Sequence, residues 1–183
     1  MRKWNAILSM GILVLFLIHA IAGGFQLVGI LSGGSQVLKI LAWFMMILIV
    51  IHAIIGCKLT ADTLKACKQS GTSYFKENRL FWLRRISGFS IMLFIVCHLL
   101  IFTNTTTDGI VRLHLFEGAQ LATQILLVIS IAVHVLSNIK PLLIALGTRG
   151  GREFLIDILL VLSVLLVGMA IAFIVYYLRW NVM

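Results

Sequence analysis

Five long apolar stretches leave this chain few ways to fold. They run near 5–31, 36–58, 81–103, 118–140 and 155–179, and each covers the roughly 20 residues that a helix needs to cross a hydrocarbon core. A spanning segment must satisfy its backbone groups internally, and no strand-like alternation interrupts these runs, so helices are expected. With 61% hydrophobic residues in a chain of 183, there is more apolar surface than a globule this small could hide from water. Disordered chains are polar, so disorder is excluded as well. The expectation is an all-α protein, a single integral membrane domain over 1–183 built from five transmembrane helices.

The formal charge of +9 does not indicate nucleic-acid binding, because the basic residues fall in the gaps between apolar runs, as membrane topology requires. Twelve lie at the N-terminus (Arg2, Lys3) and in the second and fourth connections; three, Lys39, Arg112 and Arg179, fall on the other side. That asymmetry predicts a cytoplasmic N-terminus and an outside C-terminus. Trp4 and Trp82 then mark inner ends, and Trp43 and Trp180 outer ends. Arg2 and Lys3 before an apolar stretch, with Ala20-Ile21-Ala22 after it, imitate a signal peptide. The apolar character continues to Leu31, too far for such a segment, so the first span is expected to be retained. Cys57, Cys67 and Cys97 form no CxxC or CxxCH motif, which argues against a redox pair, a zinc ribbon or a covalently attached haem.

Histidine within a bilayer is uncommon and points to function. Four of the five histidines lie inside spans, one in each of the first four: His19, His52, His98 and His134. At 1.5 Å rise per residue, His19 and His98 lie toward the outer side and His52 and His134 toward the cytoplasm, in two layers roughly 15 Å apart. Two imidazoles facing each other from different helices supply both axial ligands of a b-type haem, so two such pairs fit two stacked haems among the first four helices. Gly23 and Gly56 each follow a histidine by four residues and leave room on its face for a flat group. Ser130, four before His134, is positioned to orient that ring. Histidines at two depths cannot form one four-histidine metal centre. The six carboxylates lie at or near span ends, which argues against ion-coupled transport.

With these features the chain resembles the membrane-anchor cytochrome b subunits of the succinate dehydrogenase/fumarate reductase family, in their dihaem, single-polypeptide, five-helix form. The resemblance rests on the order of the histidine-bearing helices with a histidine-free fifth. It rests also on Trp82-Leu83-Arg84-Arg85-Ile86-Ser87-Gly88 leading to Phe94 and His98, similar to the Arg-x-Ser/Thr-Gly segment preceding a ligand in that family. It implies that His52 and His134 hold the iron of an inner haem b, and His19 and His98 that of an outer one. It implies partners on the cytoplasmic face, a flavoprotein and an iron–sulfur subunit, and quinone, with menaquinone expected, as the membrane substrate. The chain itself carries neither a dinucleotide fingerprint nor iron–sulfur cysteine spacing. The location implied is the cytoplasmic membrane of a prokaryote.

Arg84 and Arg85 are candidates for haem propionates or an inner quinone, through bidentate guanidinium–carboxylate pairing, and Ser87 for a hydrogen bond to either. Outer quinone candidates are Gln26, Asp108, His114 and Glu117. Two family features are missing: the stretch Leu31-Ser32-Gly33-Gly34-Ser35-Gln36 has no acid, and Ala132 stands where some members have a glutamate before the fourth-helix ligand. The residues leave open a cytochrome b anchor for another quinone-linked dehydrogenase or a hydrogenase, and a haem-free transporter or assembly factor.

Overall fold

The computed structural model describes residues 2–71, 78–103, 116–148 and 151–181. They form five helices: α1 (Arg2–Leu27), α2 (Gln36–Ser70), α3 (Arg79–Phe102), α4 (Gly118–Ala145) and α5 (Arg152–Asn181). All five are long and apolar enough to cross a membrane. Large apolar side chains such as Ile47, Ile54, Leu93, Leu100, Ile144 and Val164 remain on the outside, which suits a lipid surround and would be costly in water.

Two boundaries differ from the apolar runs for local reasons. α1 stops at Leu27 rather than 31 because Gly29 takes a left-handed conformation, φ 81°. The Gly29 N–H then bonds the Gln26 carbonyl at 3.1 Å and the Ile30 N–H the Phe25 carbonyl at 2.9 Å, a Schellman closure that satisfies the last carbonyls. A side chain at Gly29 would also strike the Arg179 guanidinium of α5, 2.6 Å from an added Cβ. α2, by contrast, runs on past 58 to Ser70, about 18 Å further at helical rise. Thr60 and Thr63 turn their hydroxyls back onto the Gly56 and Leu59 carbonyls, each at 2.7 Å, and neither Gly nor Pro intervenes. Much of the connection expected over 59–80 is therefore helix, because an end of hydropathy is not an end of helix.

α4 is the central element, packed along α3 and α5, while α1 packs on α2, α5 and α4. The bundle has a basic end, where α1, α3 and α5 begin and α2 and α4 finish, and an opposite end. The core sits at the opposite end: Leu27, Ile101, Phe116, Val128, Ala172, Phe173 and Tyr176 form one buried cluster. Phe116 anchors it, with ring centroids 4.8 Å from Tyr176 and 5.7 Å from Phe102. At the basic end a cavity of about 920 Å³ opens between α2, α3 and α4, with Leu59, Thr63, Phe81, Arg84, Arg85 and Pro141 on its walls.

Candidate functional site

The four span histidines meet as two pairs. His19 of α1 faces His98 of α3 with ring centroids 6.1 Å apart and planes at 73°. His52 of α2 faces His134 of α4 at 6.3 Å and 84°. An iron about 2.0 Å from one nitrogen of each ring, each nitrogen being about 1.1 Å from its own centroid, would put the centroids up to about 6.2 Å apart. A direct N–H···N bond would bring them to about 5.1 Å. Both pairs match the metal-sharing distance. Among the described residues no group of three or more histidines, cysteines or carboxylates could hold a metal ion; each pair would offer a metal two histidine ligands, the number a bis-histidine haem takes. Neither α1 with α3 nor α2 with α4 is a closely packed helix pair, and an added Cβ at Gly23 would meet nothing within 4 Å. The residues present fit the group.

Three of the rings are oriented through Nδ1. Ser9 donates its hydroxyl hydrogen to the Asn5 carbonyl at 2.7 Å and accepts from the Nδ1–H of His52 at 3.3 Å. Gln124 turns its amide nitrogen to Thr123 Oγ1 at 3.2 Å and accepts from the Nδ1–H of His98 at 2.8 Å. The Arg84 carbonyl accepts from His134 Nδ1–H at 3.1 Å, and the Ser87 hydroxyl, 3.3 Å from that nitrogen, donates to the same carbonyl at 3.2 Å. An Nδ1–H fixed in this way leaves the Nε2 lone pair for a metal, the arrangement ligating histidines require. Ser130 is buried, but His134 takes its hydrogen bond from α3 instead.

These contacts also fix the depth of each layer. His52 meets Ser9, ten residues before His19; His98 meets Gln124, ten residues before His134. His134 lies 3.3 Å from where a Cβ on Gly88 would stand, ten residues before His98. Three helices independently separate the layers by about 15 Å. Gln124, completely buried, and Ser9 are the partners that sequence reasoning missed; a polar residue ten positions from a histidine on the same helix is the signal that could have found them.

The arginines divide their tasks. Pro141 has no N–H and so cannot bond the carbonyl one turn earlier, that of Ser137. The Arg84 side chain does so instead, Nε donating at 3.0 Å. Arg84 thus holds α4 twice, by its carbonyl to His134 and its side chain to Ser137. Arg85 lies over the Phe81 ring, 5.1 Å from its centroid, and reaches toward Gly56 of α2. Both arginines line the basic-end cavity, and Ser87 is buried on α3.

The outer candidates are not brought together by the described residues. Gln26 donates to the Ser32 carbonyl at 3.2 Å, bracing the turn after α1. Glu117 caps α4, its N–H bonding Gln120 Oε1 at 3.0 Å. Asp108 and His114 lie outside the described residues. Comparisons with protein-family models, with curated proteins and with solved structures return no match to this chain.

Proposed function

We propose that the chain is a dihaem cytochrome b membrane anchor of a succinate dehydrogenase/fumarate reductase complex, passing electrons between a soluble iron–sulfur partner and membrane quinone. The observation that carries this is the pairing of four histidines inside apolar helices, at two depths and at metal-sharing distance. Support for the partner is separate: the order of the histidine-bearing helices and the Arg84-to-Gly88 segment.

Haem b, when bound, supplies a reversible one-electron centre. Everything else in the proposal belongs to the chain's own residues. His19 and His98 would hold one iron, and His52 and His134 the other. Ser9, Gln124 and the Arg84 carbonyl hold three of those rings in the ligating orientation, while Gly23 and Gly56 keep bulk off the helix faces. The apolar helices exclude water from both layers. Arg84 and Arg85 bring positive charge to the cavity wall, where carboxylates of a bound group, or an inner quinone, would be met by guanidinium. The basic end faces the cytoplasm, and there α2 carries its Lys58-to-Ser70 extension toward a flavoprotein and iron–sulfur pair. Menaquinone is the quinone proposed.

The test is a dithionite-reduced minus oxidised spectrum of the purified protein, with haem counted against protein. Two b haems per chain are expected, and none, from haem-replete cells, overturns the proposal. Two haems without co-purifying flavin, iron–sulfur clusters and succinate or fumarate activity would keep the cytochrome and move it to another dehydrogenase or a hydrogenase.

Orientation has its own expected result. Cys67 lies on the α2 extension and Cys97 within α3. A membrane-impermeant maleimide should label Cys67 in inverted vesicles and not in right-side-out spheroplasts, and leave Cys97 unmodified in both. The reverse pattern for Cys67 would invert the topology.

A further inference from the structure

We propose that Gln124 and Ser9 are positioning residues that set the electron affinity of the two histidine layers separately, Gln124 acting on the His19/His98 layer and Ser9 on the His52/His134 layer. The inference rests on the dihaem function above and assigns residues to the tuning of each centre.

The geometry is specific. Gln124 has no solvent exposure, lies in an apolar helix, and directs its carbonyl oxygen to His98 Nδ1 at 2.8 Å. Its amide nitrogen is occupied by Thr123, so the side chain can only accept from the ring. Burying a primary amide in hydrocarbon is costly unless it is hydrogen-bonded, and this one is spent on a single histidine. Ser9 is fixed in the same sense, because the Asn5 carbonyl takes its hydrogen and leaves an acceptor for His52.

An acceptor at Nδ1–H shifts electron density toward Nε2 and raises the basicity of the ligating nitrogen. A more basic imidazole favours the oxidised iron and lowers the reduction potential. Ser9 and His19 share α1, and Gln124 and His134 share α4. Each of these helices therefore ligates in one layer and tunes in the other, so a change at either acceptor has a predictable address.

The experiment is a spectroscopically monitored redox titration of the membrane-embedded complex, with low-temperature electron paramagnetic resonance of the oxidised haems. Gln124→Leu should raise the midpoint of one haem wave and shift one low-spin signal, leaving the other wave in place. Ser9→Ala should raise the other wave and spare the first. The double variant should move both. Should Gln124→Leu lose haem, Gln124→Asn, whose amide is one methylene too short to reach His98, is read in its place. Two unmoved waves, or both single variants moving the same wave, would overturn the proposal and leave the dihaem function standing. Absence of two haem waves in the unmodified protein would instead sink the dihaem function itself.

Discussion

If the two histidine pairs hold haem as proposed, alanine at His134 is expected to halve the haem bound per chain. The ring is one of two that face each other across 6.3 Å, and among the described residues no other histidine is paired with His52 on α2. Losing either leaves one nitrogen where two are needed. The pair at His19 and His98 lies about 15 Å away by helical rise and shares no ligand with it. Under the proposed function His52→Ala and His134→Ala should give the same result: one b haem per chain instead of two, and a single redox wave. His19→Ala and His98→Ala should remove the other haem. Haem-to-protein ratio and the reduced-minus-oxidised spectrum decide it. Two spectrally normal haems in both His52→Ala and His134→Ala protein would exclude this pair as ligands.

The second large effect concerns the join between α3 and α4. Proline inside α4 deprives the Ser137 carbonyl of its helical donor, and Arg84 supplies one from the neighbouring helix at 3.0 Å. A hydrogen bond from a charged group is worth about 1.5–3 kcal/mol. Arg84→Met should therefore destabilise the protein by about 2 kcal/mol, read by denaturant titration in detergent. Pro141→Ala restores an N–H at the right place on α4. In the Pro141→Ala background the Arg84→Met loss should shrink to less than half, because Ser137 then has an intrahelical partner. A strictly additive cycle would show that Arg84 stabilises the bundle by some other route.

Arg84 also shows where reading the sequence stops. An arginine next to a ligand-bearing span is assigned by its charge to an anion; nothing near it in the chain says that a proline on another helix has orphaned a carbonyl. The histidines are legible because they are rare in lipid and because helical rise alone sorts them by depth, so both pairings follow from the sequence. Ser9 and Gln124 were not legible in the same way. Neutral polar residues are tolerated singly in apolar helices, and these helices are apolar all round, so no stripe reveals which face a serine or glutamine shares with a histidine. The Lys58-to-Ser70 stretch was missed for a simpler reason: hydropathy reports where a helix meets lipid, and α2 continues beyond it. Gln26 and Glu117, candidates for the outer quinone, also serve a turn and a helix cap.

One helix stands apart in how it is held. α2 has no buried residue along its whole length, leans mainly on α1, and brings His52 against His134 of α4. Its attachment is that of a door on one hinge post, with His52 as the latch. Under the proposed function, a group shared by His52 and His134 would give α2 a hold that its own packing supplies little of.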